Sequence, residues 1–238
     1  TIFEDAYKFY DSFATLPSTA PWLSIYPPSH GPPPPWGPNS NPPVPLIWPR
    51  PDDGYQVLCE NLAAKSRNLQ HLAISFMVNA ENFFRCCQSE WIWPRLESLT
   101  LTSQLLQNDW EKQQDIPVLL CRARAVVQKM PKLHTFVLWN GGKGHACAFI
   151  YQLGKDKDSA SITWRGTWDM EMRPVVIKSW QRIVSNLRVP ILQVNYEKVE
   201  GAKKMKTHGD AIYHLKLPFQ VVEPASLWQI RREGYSVT

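Results

Sequence analysis

Three short blocks of this chain superpose without gaps. NLQHLAIS (68–75), RLESLTLT (95–102) and KLHTFVLW (132–139) share the pattern L-x-x-[LF]-x-[IL]-x, with Leu69, Leu96 and Leu133 in its first position. The two later apolar positions alternate with their neighbours, as a strand with one buried face requires. Each block follows a stretch with helical apolar spacing: YQVLCENLAAKS, AENFFRCCQSEW and PVLLCRARAVVQKM. A helix–strand unit that recurs every few tens of residues buries its apolar face against the next copy, and this is the signature of a leucine-rich-repeat solenoid. The opening TIFED fits as the strand of an earlier unit, with Ile2 in the place of Ile74, Leu101 and Leu138. The blocks lack the asparagine that usually follows such a strand, so the array is expected to be irregular.

Between the opening strand and the first full block the composition changes. Fourteen of the 21 prolines fall between Pro17 and Pro51, punctuated by Trp22, Trp36 and Trp48. Proline fixes φ and removes a donor, which excludes helix and central strand from this segment. It reads as a long irregular insertion pinned by tryptophans, with a ligand for a proline-binding domain as the other reading.

Beyond residue 145 the pattern changes again. HACAFIYQL and SASITWRGTW read as strands, and RPVVIKSWQRIVSNL carries Val175, Val176, Trp180, Ile183, Val184 and Leu187 on one helical face. ILQVNYEKV and AIYHLKLPF read as two further strands, and PASLWQIRRE as a closing helix with Pro at its start. The expected fold is therefore α/β: an irregular leucine-rich-repeat-like solenoid of helix–strand repeats with an α+β C-terminal cap. Its expected parts are a remnant of an earlier repeat (1–16), the Pro/Trp-rich insertion (17–51), the repeats (52–144) and a cap of the same domain (145–238).

Composition narrows the function classes. A net charge of +5 with 20% charged residues permits only weak attraction to acidic partners, and the basic run EKVEGAKKMKTHG is diluted by glutamates, so nucleic acid is not an expected partner. No apolar run approaches the roughly 20 residues of a membrane helix. The start, TIFEDAYKFYDSF, shows no basic-then-apolar signal pattern and no initiator Met, so a fragment or processed form is expected. Five scattered cysteines without paired short spacing fit reduced thiols in the cytoplasm or nucleus rather than a zinc site.

Several chemical readings meet in WNGGKGHACAFIY (139–151). A phosphate loop needs a hydroxyl residue after its lysine and then a helix, whereas Lys143 precedes Gly144 and a strand-like run. His145 and Cys147 are two apart on a strand, but the flanking Ala146, Ala148 and Phe149 mark Cys147 as a small buried residue with an inert thiol. His208 and Asp210 in THGDAI are too few for a metal site, and read more simply as a turn in which Asp210 caps. Nothing in the sequence calls for a cofactor.

Two candidate surfaces remain. Residues between the buried strand positions should line the concave face, the usual ligand surface of a solenoid. They are Phe3 from the first block, His71 and Ser75 from the second, Ser98, Thr100 and Thr102 from the third, and Thr135, Val137 and Trp139 from the fourth. This uncharged hydroxyl and aromatic face suits a protein partner, unless the insertion or the C-terminal part buries it. The alternative is a small-molecule-binding protein or enzyme with a pocket at the repeat/cap junction, built from His145, Trp164, Arg165, His208 and Asp210. Trp164, Arg165 and Trp168 together could stack a ligand, or simply pack on the helix that holds Trp180.

Six motifs in order, LAISFMVNAENFF, WPRLESLTLTSQLL, MPKLHTFVLWNGGKGHACAFIY, ITWRGTW, HGDAI and PASLWQIRREG, resemble a filamentous-fungal family of F-box-type proteins whose C-terminal region is described as a domain of unknown function. The resemblance implies a substrate-recognition role in an SCF-type ubiquitin ligase. It also implies that contact with a Skp1-like adaptor is made only through an F-box N-terminal to this chain. It supplies no catalytic residues.

Overall fold

The computed structural model describes residues 22–25, 53–156, 158–219, 221 and 227. Among these residues, seven strands form one mixed sheet in the order of the sequence. They are β1 (Trp22–Ile25), β2 (His71–Asn79), β3 (Ser98–Thr102), β4 (Thr135–Gly142), β5 (His145–Leu153), β6 (Ser159–Gly166) and β7 (Ile191–Lys198). β1 to β4 run parallel, β4–β5 and β5–β6 are antiparallel pairs, and β7 returns parallel to β6.

The register follows the three blocks. Leu72 lies opposite Leu99 and Leu99 opposite Phe136, while Ile74, Leu101 and Leu138 form the next row. The antiparallel pairs continue both rows, Phe136 to Tyr151 and Leu138 to Phe149. Because side chains alternate across a strand, all of these point to one face, where α1 (Asp53–Ser66), α2 (Ala80–Cys86), α4 (Ile116–Val127) and α5 (Pro174–Asn186) cover them in a single apolar core. A short α3 (Trp110–Gln113) buries no residue.

α5 shows why these stretches are helices. Pro174 sits at its start, and the buried residues Val176, Ser179, Trp180, Ile183 and Val184 recur at helical spacing, while Val175 faces solvent. Trp180 is the centre of the core. Its ring meets Phe136, Phe149 and Tyr151 at centroid distances of 5.7, 5.0 and 5.2 Å, and its indole N–H donates to the Leu120 carbonyl of α4. Among the described residues, no helix is long and apolar enough to cross a membrane.

Several sequence expectations change. AIYHLKLPF is not a strand: α6 (His208–Leu215) begins at the Thr207 cap, where the Thr207 hydroxyl accepts from the Asp210 amide and the Asp210 carboxylate accepts from the Thr207 amide. This reciprocal capping box satisfies two of the helix's free N–H groups and outweighs the apparent alternation of the sequence. The strand beside β2 is Trp22–Ile25, from within the proline-rich segment. Among the described residues it pairs with β2 alone, as an edge strand, where proline-flanked chain is tolerated. TIFED, with Ile2, lies outside the described residues, as does PASLWQIRRE apart from Leu227. The turn after Trp139 is shorter than expected, because β4 continues through Gly142 and pairs it with His145. Of the three glycines there only Gly144 has a positive φ, +77°, so Gly141 and Gly142 are not turn residues.

Candidate functional site

The side chains on the other face of the sheet include most of the sequence-derived candidates. β2 offers His71 and Ser75, β3 offers Ser98, Thr100 and Thr102, and β4 offers Thr135, Val137 and Trp139, all but Ser75 in continuous register. Phe3 lies outside the described residues. The face was expected to be open unless the insertion or the C-terminal part buried it, and much of it is covered. Ser75, Thr100, Val137 and Trp139 have no exposed surface, and Ser98 and Thr102 have almost none.

The cover is α6. Ala211, Ile212 and Leu215 from the helix, with Val199, Met205 and Val221 around it, form a second apolar cluster with Val137, Trp139, Ala146, Ala148 and Ile150. Burying a strand row that exposes Trp, Val and Ile removes a large apolar area from water, and this drives the helix onto the sheet. Gly141 allows the approach. A Cβ there would stand 2.4 Å from the Ala211 Cβ, so a side chain in this position would hold the helix away. Gly141 thus serves close packing, a role that turn propensity alone did not suggest.

Phe76 is a second feature the sequence concealed. β2 breaks register between Ile74 and Asn79, and Phe76 takes a φ of 60°, unusual for a bulky residue. Its amide donates to the Thr102 hydroxyl. Its ring meets Trp139 edge-on at 5.1 Å and lies 4.3 Å from the His208 ring. Nothing in the pattern LAISFMVN signals this bulge. Among the described residues, the Ser75 and Thr100 hydroxyls and the Trp139 indole N–H are buried without a hydrogen-bond partner.

The five pocket candidates fall in different places. His208, the first residue of α6, hydrogen-bonds through Nδ1 to the Gly141 carbonyl, and both His208 and His145 border Gly142. Although His208 keeps much of its surface in solvent, desolvation of its packed ring holds its pKa below the usual histidine value. The Gly141 carbonyl works against this, and the His145 charge works with it. Asp210 is buried and engaged by the Lys206 and Thr207 amides. Arg165 is at the other end of α6, roughly 12 Å along the axis by helical rise. There its guanidinium donates to the Leu215 and Lys216 carbonyls at 2.8 Å each and pairs with Glu197 at 2.6 Å. Trp164 is on the opposite face, donating to the Trp168 carbonyl. Only His145 and His208 come together, and Arg165 emerges as the C-terminal cap of the helix.

Cys147 does not pair with His145. It is fully buried, burial pushes its thiol up to about 12, and it donates to the Leu106 carbonyl at 3.3 Å. Among the described residues no three His, Cys, Asp or Glu side chains are grouped to hold a metal ion. An open groove of about 410 Å³ runs beside the C-terminal end of α6, bordered by Arg165, Glu197, Lys198, Glu200, His214 and Lys216.

One comparison bears on this arrangement: residues 15–223 match a family of unknown function, DUF6546. The chain belongs to that family. No curated protein matches the chain, and no solved structure does. The stretch matched to DUF6546 takes in β1, the helix layer and α6, so the covered face belongs to the family region.

Proposed function

We propose that this member of DUF6546 is a protein-interaction module: an irregular leucine-rich-repeat-like solenoid with an α+β cap, acting as the substrate-recognition part of an F-box-type ubiquitin-ligase adaptor. The observation that carries the reading is the shared register of β2, β3 and β4, in which the three sequence blocks stack row on row with helices on one side. Such stacking leaves the other side for recognition. α6 occupies the upper part of that side, and part of a lower row stays within reach, although in it Ser98 is buried and the His71 ring stacks on Phe219. His71, Ser98, Thr135, Gln152, Ser161 and Gln193 lie opposite one another across six strands. All six are polar with no formal charge on five of them, and Gln152 and Gln193 are exposed. Neutral donors and acceptors spaced about 4.8 Å apart suit the amide and hydroxyl groups of a protein surface. The dispersal of the pocket candidates gives an enzyme reading less support.

The test is affinity purification of the tagged full-length protein from the cells that make it, beside a Gln152→Arg variant. The reading expects a Skp1-like adaptor and a cullin with both forms, and a further protein that Gln152→Arg loses while keeping its thermal unfolding unchanged. Recovery of neither adaptor nor cullin would reject the ubiquitin-ligase role. An unchanged set of partners with Gln152→Arg would reject this row as the recognition surface.

A further inference from the structure

The outer side of β7 is the longest open edge of the sheet. Among the described residues β7 pairs with β6 alone, in unbroken register from Ser159 opposite Ile191 to Gly166 opposite Lys198. A strand in this position leaves a row of amides and carbonyls pointing outward, ready to pair with another chain. Protected edges are short, bulged, or interrupted by proline or charge. β1, at the other end of the sheet, is four residues long and flanked by Pro21 and Pro27. β7 has eight residues, no bulge and no proline, and its stretch from Ile191 to Tyr196 carries no charge. Its two charged residues are tied within their own chain, Glu197 to Arg165 at 2.6 Å and Lys198 to Asp169 at 2.9 Å.

The helix layer only partly covers this edge. Trp180 anchors α5 over β4 and β5, and after β7 the chain crosses to the other face, where it forms α6. Leu192 and Val194 meet the core at its rim and are half-buried, and Tyr196, on the same face of β7, is 51% exposed. A strand laid beside β7 covers this apolar rim while it takes up the outward amides and carbonyls.

A second copy of β7 fits the edge, and its register follows from the hydrogen-bond pattern. In an antiparallel ladder, a hydrogen-bonded pair joins two residues whose backbone groups both point outward. Outward residues recur at every second position, so two paired residues share parity and the two-fold axis passes through a residue. An axis at Gln193 sets Pro190 opposite Tyr196, and an axis at Asn195 sets Leu192 opposite Lys198. With the axis at Val194, Val194 faces its own copy, Leu192 faces Tyr196 and Gln193 faces Asn195. Apolar residues then meet on the helix side and amides on the other, while Glu197 faces Ile191, so no like charges are opposed. We propose that the protein forms a two-fold dimer by antiparallel pairing of β7 about Val194, which joins two seven-stranded sheets into one. The axis stands perpendicular to the sheet, so both helix layers lie on one side and both faces that carry α6 lie on the other. The pairing rests on the edge alone and not on the recognition role of the polar row.

The test is sedimentation velocity of the full chain from about 1 μM to about 100 μM, since a dimer forms by mass action. The expected species moves from one chain of 27.4 kDa towards two as concentration rises. Gln193→Lys with Asn195→Lys sets lysines opposite each other on both sides of the axis, and should hold the protein monomeric across this range. Gln193→Glu with Asn195→Lys sets Glu opposite Lys and should restore the dimer. Gln193 is exposed and Asn195 half-buried, so both variants should keep the circular dichroism of the unaltered chain. Hydrogen exchange reads the same edge without any variant: the outward amides within 191–197 should gain protection as concentration rises. A single chain throughout the range, association beyond two chains, a dimer that the paired lysines leave intact or that Glu and Lys fail to restore, or protection independent of concentration would overturn the proposal.

Discussion

Replacing Gly141 by Ala probes the contact on which the covered face depends. The added methyl would lie 2.4 Å from the Ala211 Cβ and 3.4 Å from the His145 carbonyl oxygen. Non-bonded carbons rest at about 3.5–4.0 Å, so α6 must retreat by more than about 1 Å. The retreat loosens Val137, Trp139, Ile212 and Leu215 and stretches the bond from His208 to the Gly141 carbonyl. Overpacking of this kind costs about 1–3 kcal/mol, and the weakened hydrogen bond about 0.5–1.5 kcal/mol. Gly141→Ala should therefore lose about 2–4 kcal/mol in urea unfolding followed by tryptophan fluorescence. Ala211→Gly alone should lose about 1 kcal/mol through helix propensity. With the methyl removed from the helix side, the double variant should lose less than Gly141→Ala alone. The two changes should thus be coupled by at least about 1 kcal/mol. Simple additivity of the two losses, or a Gly141→Ala loss below about 0.5 kcal/mol, would refute the close-approach reasoning.

Other expectations concern the same helix and the core. The folded state holds His208 below its ordinary pKa, so its contribution to stability is whole above about pH 6.5 and is lost as pH falls through the lower folded value. His208→Gln should flatten the fall in urea midpoint between pH 7 and pH 5, and an unchanged slope would count against the desolvated site. Arg165→Gln removes the cation that caps two carbonyls of α6 and should cost about 1–3 kcal/mol in the same assay. Arg165→Lys should recover little of it, because one ammonium lacks the guanidinium fork. Lys216 holds a φ of 46° after α6, so Lys216→Gly should stabilise by about 0.5–1 kcal/mol in thermal unfolding. Trp180→Ala should cost about 3–5 kcal/mol, while Val175→Ala, one face round the same helix and 57% exposed, should stay within about 0.5 kcal/mol.

The helix side of the sheet was legible because its signal is local and repeated. Leu72, Leu99 and Phe136 recur at one block position, and that position is the observed register. β5 was legible as a continuous apolar run, Ala146 to Tyr151, and α5 from the 3.6-residue spacing around Trp180. α6 was misread because His214 and Lys216 alternate with Tyr213, Leu215 and Leu217 over a short run. Thr207 and Asp210, three apart, carried the helix-start signal, and the buried set Ala211, Ile212 and Leu215 has helical spacing. The candidate face was identified by its strands and the C-terminal part was named as a possible cover, but the covering helix was not, since α6 reaches β4 across more than 60 positions of chain. Neither the Phe76 bulge nor the meeting of His145 with His208 leaves any trace in local pattern.

The sheet's strand order equals the chain order, and this bears on how the molecule is assembled in time. Each strand docks on the one made just before it, so no early strand waits for a late one to be inserted beside it. Contacts of this kind close short loops and favour fast, progressive folding. A nascent chain can therefore lay down β2, β3 and β4 with their helices as they emerge. α6 is different, because its sites on β4 and β5 are complete before the helix exists. Among the described residues, the face with Trp139 is thus shielded later than the helix side of β2 to β4, and a chaperone would have longer to meet it.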